Sequence, residues 1–318
     1  MSLRRMKLHT DSIFSPFMYD NAAVVSHRSA KEKVNAWKPY HFIHETEPDR
    51  NGELQRINTI FLTNRECPFK CVFCDLWKHT LDDPTPKGAI PAQIRYALDR
   101  LPKADVIKLY NSGNFFDVSA IPLEDYPEIA TLISDYKRVI VENHPRIGRK
   151  HILPFQKMLT ARLEIALGIE TIHPEVLPKL NKKVTVQDIE DTVHFCISNG
   201  IDLRGFILLN PPFITNKDEY RYWCLETVKF AFNIGFSTVS IIPVRTGNGL
   251  MERLLDNGAY IPPDLTILES VFCDVLKMKK GIVFIDLWDI EQFWQGDKNL
   301  YHDFKNRLEM MNQTQRAL

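Results

Sequence analysis

From about residue 54 to residue 245 the apolar positions alternate between two rhythms. Short runs rich in Val, Ile, Leu and Tyr predict six strands: Ile57 to Leu62, Asp105 to Tyr110, Arg138 to Glu142, Leu163 to Gly168, Leu203 to Leu209 and Thr238 to Val244. Between them apolar residues recur every three or four positions. This predicts helices near Pro91 to Leu101, Tyr126 to Tyr136, Lys150 to Leu159, Val186 to Asn199 and Lys217 to Asn233. The fourth helix carries both end signals, with Thr185 able to cap its start, Asp188 three residues on, and Gly200 at its exit. Gly235 ends the fifth in the same way. Consecutive βα units predict an α/β fold, and six strands suit a partial (β/α)6 barrel better than a closed barrel of eight.

The flanks read differently. Residues 1 to 40 show little periodicity, and one short helix is expected around Ser26 to Ala36. His41 to Glu45 and Leu54 to Leu62 then flank Asp49-Arg50-Asn51-Gly52, whose Asn-Gly pair favours a hairpin. After Val244 come a Thr246-Gly247-Asn248-Gly249 loop, helices Leu250 to Asn257 and Asp264 to Lys277, a strand-like Ile282 to Ile285 and a charged helix from Lys298 to Met311. The aromatics here, Phe284, Trp288, Phe293 and Trp294, are expected to cover an open barrel edge. The expected organisation is an N-terminal hairpin extension (1–54), a core (55–245) and an α-rich C-terminal extension (246–318).

Composition narrows the function classes. Forty basic and forty acidic residues cancel, so no global field recruits nucleic acid or an anionic membrane. Nowhere do 18 apolar residues run together, and the basic residues near the start precede no apolar segment. A cytoplasmic location without a membrane is therefore expected. Cys196, Cys224 and Cys273 lie singly in helical patterns and read as small core residues of a reducing compartment.

The other three cysteines form Cys67-Pro68-Phe69-Lys70-Cys71-Val72-Phe73-Cys74, directly after the first core strand. Three thiolates on one tight loop can hold three irons of a 4Fe-4S cluster and leave the fourth open. The other reading is a structural zinc site that adds His79 to the three cysteines. Because α/β barrels gather their functional groups where strands end, the remaining strand ends are the next places to look. They read Asn111-Ser112-Gly113-Asn114-Phe115-Phe116-Asp117, then Glu142-Asn143-His144-Pro145, then Glu164 to Thr171 with Asn181-Lys182 beyond, then Asn210-Pro211-Pro212. Glu164, inside its strand, needs a partner, either a ligand or Arg204 on the next strand.

The spacing C-x3-C-x2-C with Phe73 before the last cysteine resembles the signature of the radical S-adenosylmethionine (SAM) superfamily, and the order of elements downstream is similar over residues 55 to 245. The resemblance implies that Cys67, Cys71 and Cys74 ligate a 4Fe-4S cluster. It implies that SAM chelates the open iron and is split to a 5'-deoxyadenosyl radical that abstracts hydrogen from a substrate. Residues 142 to 145 resemble the Glu-x-x-Pro of coproporphyrinogen-oxidase-type and elongator-type members, which implies a SAM contact at Glu142. Glu170 stands where those families carry the Gln that reaches the ribose, and Lys182 where they carry the Arg of the SAM carboxylate; both are departures. Phe73, Ser112, Gly113, Asn114 and Glu164 complete the implied cofactor contacts. Ser112 to Asp117 and Gly258 to Pro263 resemble segments of archaeosine synthase radical SAM subunits, implying tRNA base modification and a partner subunit. A reductant protein such as flavodoxin or ferredoxin is also implied. A small metabolite or peptide is the other substrate class, and a zinc-stabilised interaction module is the non-enzyme alternative. Arg146, Arg149, Lys150 and His151, with Lys179, Lys182 and Lys183, are the basic groups that could meet tRNA phosphates.

Overall fold

The computed structural model describes residues 19–318. Eight strands form one sheet in sequence order: β1 His41–Pro48, β2 Leu54–Phe61, β3 Val106–Tyr110, β4 Arg138–Asn143, β5 Arg162–Glu170, β6 Asp202–Leu208, β7 Thr238–Ile242 and β8 Ile282–Ile285. Only β1 runs antiparallel to its neighbour, and every later pair is parallel. The sheet curls into a partial barrel with the helices outside. The six expected core strands are β2 to β7. Beyond expectation, β1 and β8 extend the same sheet at its two edges.

The β1–β2 hairpin follows from its turn. The Asp49 carboxylate accepts the Asn51 and Glu53 N–H groups, and Gly52 takes φ +83°. At the other edge, β8 would present an unpaired row of backbone groups. Two side-chain amides stand in for a ninth strand: Gln315 bonds both the N–H and C=O of Val283, and Asn312 does the same for Ile285. Both come from the end of the last helix, Lys298–Thr314, which touches β1 as well as β8.

Helices follow the predicted positions closely. Val186–Ser198 begins with the expected capping box of Thr185 and Asp188. Lys217–Ile234 ends at Gly235 with φ +116°. One expectation is corrected. The short N-terminal helix is Asn21–Ser26, not Ser26 to Ala36, because Asp20 caps it by accepting the Ala23 N–H. The stretch after it is instead fastened by charge, with Arg28 and Lys31 both meeting Glu66 at 2.7 Å. Cys196 and Cys224 are buried and Cys273 is half-buried. Of the C-terminal aromatics, Phe284 is buried on β8, but Trp288 is 53% exposed and meets His41 edge-on.

Alternation along the strands sends one residue in two into the barrel. Ile57, Val106, Ile140 and Ala166 form a small inner cluster, separate from the core between sheet and helices, with Tyr110 and Phe206 packed on it. Beside it lies an ionic network. Arg204 Nη1 and Nη2 donate to the two Glu47 oxygens at 3.2 and 2.8 Å, and its Nε donates to Glu164 at 3.0 Å. Lys108 donates to Glu45 and Glu47 at 2.9 and 2.5 Å, and Arg138 to Glu164 at 3.2 Å. Desolvation alone would push the Glu47 carboxyl up, but Arg204 and Lys108 hold it well below the usual carboxylate range. Glu164 thus has both oxygens engaged by arginines, and of the two partners expected for it the structure supplies Arg204, joined by Arg138. Among the described residues no helix is long and apolar enough to cross a membrane.

Candidate functional site

The loop after β2 carries Cys67, Cys71 and Cys74, all three as free thiols. Its backbone is held by groups from distant parts of the chain. Val72 N–H donates to the Leu180 carbonyl at 3.0 Å, and Asn181 Nδ2 donates to the Lys70 carbonyl at 2.7 Å. From the far side, Asn248 Nδ2 donates to the Val72 and Cys74 carbonyls at 2.7 and 3.2 Å, while its Oδ1 accepts the Met251 N–H. Sequence reasoning missed Asn248 as a site residue. The only available signal was an Asn between two glycines in the loop after a strand.

Gly113, after β3, lies against this loop so closely that a Cβ there would stand 3.2 Å from the Cys67 Cβ. Its neighbour Ser112 takes φ +54° and shares a 3.2 Å hydrogen bond with the Tyr40 hydroxyl. Glu142, on β4, accepts the N–H groups of Asn111 and Ser112 at 2.9 and 3.0 Å. Burial outweighs those donors and raises its carboxyl to about 7. The Asn111 amide is fully buried with neither its nitrogen nor its oxygen partnered among the described residues.

Asn114, expected among the SAM contacts, has its Nδ2 pointing at the Cys67 sulfur at 3.3 Å, and its Oδ1 accepts the His144 N–H at 2.7 Å. His144 in turn stacks on Phe69 of the cysteine loop, with ring centroids 3.8 Å apart. Its Nδ1 faces the Arg146 N–H and its Nε2 the Lys182 carbonyl, so Nε2 carries the proton. Burial and the nearby Lys182 cation push this imidazole down to about 3, keeping it neutral.

Lys182 is the cation that acts most strongly on Cys67 and Cys71. Its Nζ donates to Glu170 Oε1 at 2.8 Å, and both side chains are at least nine-tenths buried. Gly168 makes the pair possible, because a Cβ there would overlap both the Glu170 carboxylate and the Lys182 amine. Burial raises all three thiols, Cys71 to about 12, while the Lys182 cation opposes the rise at Cys71 and Cys67. The backbone here is strained. Ser112, Glu170, Asn181 and Lys183 all have positive φ, a conformation non-glycine residues hold only where the surroundings enforce it.

Phe73 is half-buried against the core. His79 stacks on Tyr40 with centroids 4.7 Å apart. Among the described residues no three His, Cys, Asp or Glu side chains converge on one metal-ion position, as a tetrahedral zinc site requires. A cubane makes no such demand, because each cysteine takes a different iron. Three free thiols on one loop, a cation beside two of them and an unpartnered buried amide nearby fit a 4Fe-4S cluster with an open iron.

The Radical SAM superfamily description matches residues 61–219, half of the chain. Two uncharacterized proteins of Methanocaldococcus jannaschii are similar to it. One is 25% identical over 84% of this chain and 78% of its own length. The other is 24% identical over 79% and 81%. Among solved structures, methylornithine synthase is similar at 12% identity and TM-score 0.46, covering 77% of this chain and 79% of that one. Coproporphyrinogen III oxidase from Escherichia coli is similar at 14% identity and TM-score 0.46, covering 68% and 51%.

Proposed function

The chain belongs to the radical SAM superfamily, whose enzymes use a 4Fe-4S cluster and SAM, and from that premise we propose that Cys67, Cys71 and Cys74 hold the cluster and that the ends of β3, β4 and β5 bind SAM. The observation that carries this reading is the buried Lys182 cation facing Cys67 and Cys71 from a strained loop. Together the bound groups supply reductive cleavage of SAM and a 5'-deoxyadenosyl radical. Lys182 offsets the negative charge of the thiolates and, released from Glu170, pairs with a carboxylate. Glu170 accepts from ribose hydroxyls, and Glu142 and the Ser112-Gly113 edge receive the amino group. Asn181 and Asn248 hold the loop's carbonyls and so set the spacing of the thiols. The test is anaerobic incubation with SAM and dithionite, with 5'-deoxyadenosine measured by mass spectrometry. Formation of 5'-deoxyadenosine, lost in Lys182→Met, supports the assignment; iron-replete protein that makes none overturns it.

For the substrate we propose a tRNA base, delivered over a basic rim, with electrons arriving from a flavodoxin- or ferredoxin-like protein. The support is the joining of two basic segments, where Arg146 Nη1 donates to the Lys183 carbonyl, beside a cleft of about 570 Å³ of mixed charge, lined by Lys70, Lys150 and His151 together with Glu66, Asp82 and Asp117. Salt-dependent tRNA binding that weakens in an Arg146, Lys150 and Lys183 triple alanine variant would agree. Turnover that survives RNase treatment would move the substrate to small metabolites or peptides.

A further inference from the structure

The loop after β3 brings one buried side-chain amide against a cysteine sulfur. Asn114 is 1% exposed and has two bonds, one at each end of its amide. The His144 end fixes which way the amide points. A backbone N–H can only donate, so the atom 2.7 Å from it is the oxygen, and the NH2 group is left facing the Cys67 sulfur at 3.3 Å. The donor is rigid because His144 is itself held from two sides, by Phe69 stacked on its ring and by its bond to the Lys182 carbonyl. Gly113 contributes by letting this segment approach Cys67 without a Cβ in the way.

Resting on the assignment of Cys67 as a cluster ligand, we propose that Asn114 is a positioning residue that donates an N–H···S hydrogen bond to the Cys67 thiolate and thereby raises the reduction potential of the cluster. A hydrogen bond to a ligating sulfur withdraws electron density from it, which favours the reduced, more negative state. The cluster must accept an electron before SAM can be split, so this bond eases the first step. Backbone N–H groups also reach these sulfurs, Phe69 at Cys67 and Leu76 at Cys74, but among the described residues Asn114 is the side chain that donates to one, so its loss removes the side-chain share of the effect at Cys67 and leaves the backbone share in place.

The test compares the reconstituted full chain with Asn114→Asp, which keeps the acceptor for the His144 N–H and loses the donor, and Asn114→Ala, which loses both. Iron and sulfide content are measured first, then the midpoint potential by redox titration followed by electron paramagnetic resonance. Both variants are expected to keep the cluster and shift the midpoint to more negative values, Asp further than Ala because it adds a negative charge. Wild-type protein labelled with ¹⁵N-asparagine gives a second readout that needs no variant: a nitrogen coupling to the reduced cluster. A midpoint unchanged in both variants at full iron content overturns the proposal, as does absence of that coupling in wild type. Failure of wild type to take up any cluster would instead overturn the assignment of the cysteines.

Discussion

The barrel holds two buried polar clusters, and the contrast between them separates what builds the molecule from what it works with. Inside the barrel, Glu45, Glu47, Lys108, Arg138, Glu164 and Arg204 satisfy one another on unstrained strands. At the C-terminal strand ends, three thiols and the Asn111 amide lack full partners, and four non-glycine residues hold positive φ. Both regions bury charge in an apolar setting. Only the second leaves valences over, and leftover valence with strained backbone marks a site that binds something.

The largest expected effect that tests this contrast is at the cysteines. Cys71→Ala should take bound iron from about four per chain to near none while leaving the circular dichroism spectrum unchanged. Arg204→Met should do the reverse. It strands Glu47 and Glu164 without their main partner, and loss of one member of a buried pair costs about 3–5 kcal/mol. Chemical denaturation should report that loss, with iron stoichiometry per folded chain unaltered. If Arg204→Met instead abolished cluster binding at full stability, the division between the two regions would be wrong.

How far these regions were legible in the sequence follows the range of the interactions. Strands β2 to β7 could be read because their apolar runs are local, and the Thr185–Asp188 capping box because its partners lie three residues apart. The cysteine spacing is local as well. Pairings across the fold were not legible: Asn248 reaches Val72 over 176 positions, and Arg204 reaches Glu47 over 157. Glu164 shows the limit most plainly, since an inward acid on a strand has the same sequence whether a ligand or an arginine meets it. Asn114 lay in the expected segment, but which way its amide pointed depended on the His144 N–H thirty residues away.

Smaller effects sharpen the same comparison. Gly168→Ala should push apart the Glu170–Lys182 pair and weaken SAM binding about tenfold, the effect of overpacking by about 1.4 kcal/mol. Isothermal titration with the reconstituted protein would measure it, and an unchanged affinity would remove that pair from the binding site. Asn312→Ala with Gln315→Ala should cost about 2 kcal/mol for the lost edge bonds and promote association through β8, visible by light scattering.

A pH-dependent effect is expected at Glu66. Desolvation would raise its carboxyl, but Lys31, Lys70 and Arg28 lower it from 4.5 to about 2. A carboxyl lowered in the folded state adds stability above its unfolded value, and that stability is lost as pH falls from about 4.5 toward 2. Glu66→Gln should therefore melt below wild type at pH 7, and the gap should close on acidification through that window. A gap constant with pH would mean that the strap to residues 28–31 works by packing rather than charge.

The most direct measurement is a visible and electron paramagnetic resonance spectrum of the anaerobically reconstituted protein before and after SAM. A brown protein whose reduced-cluster signal changes on SAM addition is the predicted result, since it requires both the cluster and an iron open to SAM. Colourless protein carrying about one zinc per chain would contradict it and make the three cysteines a structural clip.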